Sequence, residues 1–227
     1  MPRTARIVIP DIPHHITQRG NNRQDVFFVD DDHKVYLSLM KEDSKRYGLE
    51  ILGWCLMTNH IHLIVRPENE ESMAKAIGRT HFKYTQYINR MHNRSGHLWQ
   101  NRFYSCPLGK LHFWRALRYI EQNPLRAGMV KRAWNYKWSS AGAHIDGHDH
   151  TELLNMGWWR QASARIDWKD ALRKPLSREQ AEQIRLNTHT GRPLVEDSFI
   201  SKLEKFVGRR LRPLPIGRPK KYKNEKE

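Results

Sequence analysis

Apolar positions along the chain alternate between two periods, one close to 2 and one close to 3.6. Residues 7–19, with β-branched Ile7, Val8, Ile9, Ile16 and Thr17, read as one strand region interrupted by Pro10 and Pro13. It ends in the turn Arg19-Gly20-Asn21-Asn22-Arg23. Residues 31–47 take helical spacing, with Val35, Leu39 and Met40 on one side and Gly48 as the stop. Residues 49–57 and 60–65 are two apolar strands joined by a tight Thr58-Asn59 turn. A second helix over 70–92 is basic and aromatic in its second half (Arg79, His81, Lys83, Tyr84, Tyr87, Arg90, His92). Residues 97–108 read as a further strand or extended hairpin, and 110–123 as a third helix stopped by Asn123-Pro124. This alternation of helix and hairpin predicts an α+β domain, an antiparallel sheet with helices packed on one face.

The pattern changes after Ser139-Ser140. Residues 141–176 are mixed, with Trp158-Trp159 and Trp168 expected to pack them onto the main domain. Residues 177–188 and 195–207 read as short helices around Thr190-Gly191-Arg192-Pro193. These two helices fit either simple packing or a helix-turn-helix. The expected division is a catalytic domain over 1–140, a mixed and helical extension over 141–207, and a basic, disordered tail over 208–227.

Charge adds a partner. The 227 residues carry a net charge of +16, and residues 201–227 hold ten Lys or Arg against three Glu. Such an excess points to a polyanion, above all nucleic acid. No apolar run is long enough to span a membrane, and Met1-Pro2-Arg3-Thr4-Ala5-Arg6 does not begin a secretory signal, so a cytoplasmic, nucleoid-associated protein is expected. Cys55 and Cys106 form no metal-type cluster and read as reduced, inert thiols.

The candidate chemistry begins in the second hairpin. In Asn59-His60-Ile61-His62-Leu63, alternate strand residues share a face, so His60 and His62 emerge together while Ile61 enters the core. Two imidazoles side by side make half of a divalent metal site, or a hydrogen-bonded pair on a sheet face. The same spacing recurs in His148-Asp149-His150, within a Gly- and Asp-containing stretch that reads as a solvated loop. In the third helix Phe113, Leu117 and Ile120 form the core stripe, and His112, Arg115, Tyr119 and Asn123 line another side. A metal held by the Asn123 oxygen would sit beside a phosphate attacked by Tyr119. A surface tyrosine above a capping asparagine has the same pattern. Tyr104, beside Arg102 and Phe103, is a rival nucleophile or a base-stacking platform. Arg19, Asn21, Asn22 and Arg23 suit phosphate or base contacts with single-stranded DNA, or form a plain exposed turn. Gly217-Arg218-Pro219-Lys220 is similar to the core of an AT-hook, which would put Arg218 and Lys220 on DNA, or it is a solvated tail.

Four blocks resemble the REP-associated tyrosine transposases, the bacterial branch of the single-tyrosine HUH transposases. They are Pro13-His14-His15-Ile16-Thr17-Gln18-Arg19-Gly20-Asn21-Asn22-Arg23, Met57-Thr58-Asn59-His60-Ile61-His62-Leu63, Leu98-Trp99-Gln100-Asn101-Arg102-Phe103-Tyr104, and Leu117-Arg118-Tyr119-Ile120-Glu121-Gln122-Asn123-Pro124-Leu125-Arg126-Ala127-Gly128. Together they cover about residues 3–140. The resemblance implies a ferredoxin-like sheet carrying the histidines, with the tyrosine helix facing a metal. It implies His60, His62 and Asn123 as ligands of Mg²⁺ or Mn²⁺ and Tyr119 as the nucleophile. It also implies cleavage and rejoining of single-stranded DNA hairpins through a 5′-phosphotyrosine and a free 3′-OH. Arg19, Asn21, Asn22, Arg23, Arg102 and Arg115 would contact that DNA. Two other readings compete: a catalytically silent DNA- or RNA-binding regulator on the same fold, and a replication initiator or relaxase of the wider HUH group. The oligomeric state, monomer or dimer, is open.

Overall fold

The computed structural model describes residues 6–212. Its centre is a four-stranded antiparallel sheet of order β2-β3-β1-β4, made by β1 (His14–Arg19), β2 (Leu49–Met57), β3 (His60–Pro67) and β4 (Tyr104–Pro107). With α1 (Asp30–Arg46) between β1 and β2, and α2 (Ser72–Met91) between β3 and β4, the order along the chain is βαββαβ. That is the expected ferredoxin-like arrangement. α1 forms because Asp30, Asp31 and Asp32 sit at its positive end and Lys45 and Arg46 at its negative end. The Asp32 carboxylate accepts from the Phe28 and Val29 amides, and Gly48 at φ 61° ends the helix. The buried side of α1 is Tyr36, Leu37 and Met40 rather than Val35 and Leu39.

Register settles which side chains share a face. Ile16 pairs with Leu63, and Thr17 pairs with both His62 and Tyr104. Ile16, Ile61, Leu63 and Val65 therefore point toward α1 and α2, where Tyr36, Met40, Met73, Ile77 and Tyr84 complete one core. The other face carries His15, His60, His62, Ile64 and Cys106. It is covered by the tyrosine-bearing helix α3 (Lys110–Glu121) and by α8 (Arg178–Thr190) of the extension. The tyrosine helix was expected to face the histidines, but not as part of a full second layer with α8; β2 and β3 show the sign of that layer, being buried almost without interruption, as strands covered on both faces are. Gly53 lets α3 come close, since a Cβ there would collide with Leu117 Cδ1. Leu52 is bulged out of the β2–β3 ladder beside it.

Several sequence-based boundaries shift. Only His14–Arg19 of the 7–19 region is a strand. Asp11 takes φ 60° behind Pro10, and Ile7 and Ile9 instead bury against Ile200 and Leu203 of α9 (Asp197–Val207). Only Tyr104–Pro107 of the 97–108 region is a strand. Residues 97–103 form a packed loop whose Leu98, Trp99 and Phe103 enter the core while Asn101 adopts φ 55°. The third helix breaks at Gln122, so Asn123 opens a separate turn, α4 (Asn123–Arg126). Pro124 causes the break, having no N–H to give to the Ile120 carbonyl.

The extension continues with α5 (Ala141–Asp146), α6 (Met156–Ala162) and α7 (Trp168–Arg173). Trp159 and Trp168 are buried, as expected. Trp168 Nε1 donates to the buried Glu121 carboxylate at 2.8 Å, and that carboxylate also holds Ser140 and His144. The end of α3 is thereby tied to the extension. Residues 208–212 are not a loose start to the tail: Leu211 is buried, and the Glu204 carboxylate accepts from the Leu211 and Arg212 amides. Arg218 and Lys220 lie outside the described residues. Among the described residues no helix is long and apolar enough to cross a membrane.

Candidate active site

The strand pair and the tyrosine helix meet on the second face of the sheet. The His60 and His62 rings lie 5.0 Å apart between centroids, and the His62 and Tyr119 rings 5.8 Å apart, edge to face. Tyr119 is not a surface residue beside the core stripe. It is 3 % exposed and packs with Leu117 and Ile120 in the second core. Its hydroxyl oxygen accepts from Arg185 Nε at 3.1 Å, and the Arg126 guanidinium lies 4.3 Å over its ring.

Hydrogen bonding fixes how each imidazole faces the site. The Asn59 amide nitrogen donates to the Arg23 carbonyl at 3.2 Å, which leaves its oxygen to accept from His60 Nδ1 at 2.6 Å. His62 Nδ1 lies 3.0 Å from His15 Nε2, and His15 Nδ1 lies 2.7 Å from Thr188 Oγ1. Thr188 spends its single hydrogen on the Ile184 carbonyl at 2.8 Å, so it accepts from His15. His15 Nε2 is then the acceptor and His62 Nδ1 the donor. This tautomer assignment follows from network logic. Both His60 and His62 consequently present a bare Nε2, and neither Nε2 has a hydrogen-bond partner among the described residues.

Burial also keeps the rings neutral. It lowers His60 to about 4, with the Arg19 charge adding to the effect, and His15 to about 3. His62 is pushed well below 6.5, first by burial and then by His60, His15, Arg126 and Arg19. Neutral imidazoles with free lone pairs are what a metal needs. No group of three or more His, Cys, Asp or Glu converges on a cation site among the described residues. A cation here would therefore rely on two imidazoles, an amide oxygen and ligands from outside the chain. The Asn123 oxygen accepts from Arg126 Nη2 at 2.8 Å, and its buried Nδ2 has no partner. One oxygen lone pair remains, and donors of these types, imidazole nitrogen and amide oxygen, fit a divalent ion.

The other sequence candidates fall in different places. Arg19 stands opposite His60 in the ladder and is exposed. Asn21 to Arg23 form a 3-10 turn whose Arg23 carbonyl orients Asn59, so the turn supports the site as well as bordering it. Arg115 lies beside His112 and Arg118 on α3; burial lowers the pKa of both, and the Arg115 charge adds to that. Arg102 borders an open cavity of about 660 Å³ that is also lined by Arg6, Arg192 and Tyr104. Tyr104 stacks on His189 at 4.6 Å and is not among the aromatic contacts of His60 or His62. Asn59, His15 and Arg126 sat in the quoted blocks without a role. Arg185 and Thr188 carried no sequence signal, because only the fold brings α8 to this face. The thiols are inert as expected: burial raises Cys55 and pushes Cys106 up to about 12.

A family model described as IS200-like transposase matches residues 9–123, about half of the chain. The chain belongs to the IS200-like transposase family. The chain is 27 % identical over 116 residues to the "Putative REP-associated tyrosine transposase" of Haemophilus influenzae, across 46 % of this chain and 66 % of that protein, just under two thirds of its length. Its fold matches a solved REP-associated tyrosine transposase bound to a REP hairpin, with a TM-score of 0.56 and 18 % identity, over 70 % of this chain and 91 % of that one. The resemblance read from the four blocks holds. His60, His62, Tyr119 and Asn123 lie inside the matched span, and α8 lies outside it.

Proposed function

We propose that this protein cleaves and rejoins single-stranded DNA at small hairpins through a covalent bond to Tyr119, with Mg²⁺ or Mn²⁺ held by His60, His62 and Asn123. The observation that carries the reading is the convergence of two neutral imidazoles with bare Nε2 atoms beside a tyrosine whose oxygen is held by a guanidinium. Binding alone requires no such arrangement. When bound, a divalent ion would withdraw charge from the non-bridging oxygens of the scissile phosphate. Tyr119 Oη attacks phosphorus, the bond from phosphorus to the 3′-oxygen breaks, and the 5′-phosphate stays on the tyrosine. The phenol proton passes to solvent water, and the departing 3′-oxygen takes one up. The reverse attack by a 3′-OH restores the phosphodiester and frees Tyr119, so no nucleotide cofactor is consumed. Arg19 beside His60, and Arg102, Arg6 and Arg192 around the open cavity, supply cations along which flanking single-stranded DNA can run. The solved structural relative is bound to a REP hairpin.

The test is covalent capture. Hairpin oligonucleotides built on inverted repeats flanking the coding region, incubated with Mn²⁺, should give a denaturation-resistant adduct. Tyr119→Phe should abolish it while DNA affinity stays within about twofold. An adduct that persists in Tyr119→Phe would overturn the reading.

A further inference from the structure

We propose that α8, beyond the segment that defines the family, completes the active site: Arg185 acts on the nucleophile, and Thr188, through His15, fixes the tautomer of His62. The proposal rests on the reading of Tyr119 as nucleophile and His62 as ligand. Arg185 and Thr188 are three residues apart, so they share one face of the helix. One reaches the Tyr119 hydroxyl at 3.1 Å and the other the His15 ring at 2.7 Å. A single element thus touches both halves of the site.

The seating of α8 is firm enough for the task. Ser177 and Gln180 form a reciprocal cap at its start, and Gly191 at φ 69° ends it. Ile184 and Ala181 are buried in the core beneath α3. Just past the helix, the Leu194 amide donates to the Pro107 carbonyl and the Leu194 carbonyl accepts from Gly109, which pins α8 to the end of β4 and the start of α3. Cys106 holds Thr188 from the other side, with Sγ 3.3 Å from Oγ1.

The two contacts do different things. A guanidinium only donates, so the Arg185 bond to Tyr119 Oη leaves the phenol hydrogen free to depart on another side. As the oxygen gains charge, whether before attack or on leaving in the reverse step, that bond becomes charge-assisted and strengthens. Arg185 is therefore a catalytic residue, in direct contact with a reacting atom. Thr188 and His15 are positioning residues. They leave His62 one stable form, with hydrogen on Nδ1 and a lone pair on Nε2.

The test uses the full chain. In single-turnover reactions with the hairpin oligonucleotide and Mn²⁺, Arg185→Ala should slow Tyr119 adduct formation on the order of 10- to 100-fold. DNA affinity should stay within about threefold, and Arg185→Lys, which retains a cationic donor, should recover part of the rate. Adduct formation at the wild-type rate in Arg185→Ala would overturn the catalytic role. Nitrogen-15 spectra of the metal-free, DNA-free protein test the other half. His62 should carry its hydrogen on Nδ1 in the wild type and in Thr188→Ser, and should become a tautomer mixture in Thr188→Val. An unchanged His62 signal in Thr188→Val, or hydrogen on Nε2 in the wild type, would overturn the positioning role. If the wild type gives no Tyr119 adduct, the functional reading and the role of Arg185 fall together, while the nitrogen spectra still decide Thr188.

Discussion

Two histidine pairs in this chain have the same spacing and nearly the same ring geometry. His60 and His62 lie 5.0 Å apart at 84°, and His148 and His150 lie 4.5 Å apart at 82°. What separates them is the residue between and the shell behind. In the strand pair, Ile61 is buried in the core, and each ring is held at Nδ1, by Asn59 or by His15. In the loop pair, Asp149 is the buried residue, and its carboxylate accepts from the Thr151, Leu153 and Leu154 amides. That loop is built to close a turn, and its exposed rings have no hydrogen-bond partner among the described residues. Spacing alone does not separate the two pairs; only the strand pair has a shell that turns two bare Nε2 atoms toward a covered face, as the proposed metal site requires.

The largest effect should come from removing the strand pair. His60→Ala with His62→Ala should lower hairpin cleavage by at least about 1,000-fold, since the proposed cation would lose both nitrogen ligands. His148→Ala with His150→Ala should leave the rate within twofold. Equal losses in single-turnover assays would break the comparison.

A milder perturbation sharpens it by touching only the shell. Asn59→Ala removes the acceptor for His60 Nδ1 and should weaken Mn²⁺ affinity by about 10- to 100-fold, as losing an outer partner of a ligating histidine does. Titration followed by Mn²⁺ electron resonance checks this, and an unchanged affinity would mean that His60 needs no orienting.

The buried rings also predict a pH response of stability. Burial lowers His14 and His60 to about 4, and His15 and His81 to about 3, against 6.5 in the unfolded chain. The unfolded state therefore binds protons first. The stability these rings contribute is whole above pH 6.5 and is lost as pH falls toward 4 and 3. Urea midpoints of the metal-free protein should drop across that window, and a flat profile would contradict the burial of these rings.

The smallest effect should come from the tail. Leu211 is buried, so truncation should follow Arg212 rather than Val207. Removing Arg218, Lys220, Lys221, Lys223 and Lys226 should flatten the salt dependence of DNA affinity by about 0.7 per lost single-strand contact. Cleavage at saturating DNA should stay near the full-length rate. An unchanged salt slope would remove the tail from the DNA contacts.

How much was legible followed physical range. Period-2 and period-3.6 patterns placed α1, α2, α3 and the β2–β3 hairpin within a few residues, because their burial is local and regular. Residues 97–103 have the apolar content of a strand or extended hairpin but pair only by a single bridge, Trp99 with Gly20, before Asn101 turns left-handed. His60, His62 and Tyr119 were visible as chemistry. The burial of Tyr119 was not, because it depends on α8 and Arg126 covering that side of α3. The His15 contact was hidden because it crosses strands, and the orientation of Asn59 because the Arg23 carbonyl that sets it lies in another turn. Nothing local marks Arg185 or Thr188.

The most direct test of the central claim is Mn²⁺ hyperfine spectroscopy on the full chain. The account predicts couplings to two imidazole nitrogens, unchanged in the His148→Ala, His150→Ala variant and absent from the His60→Ala, His62→Ala variant. Couplings that survive loss of the strand pair, or vanish with the loop pair, would contradict it.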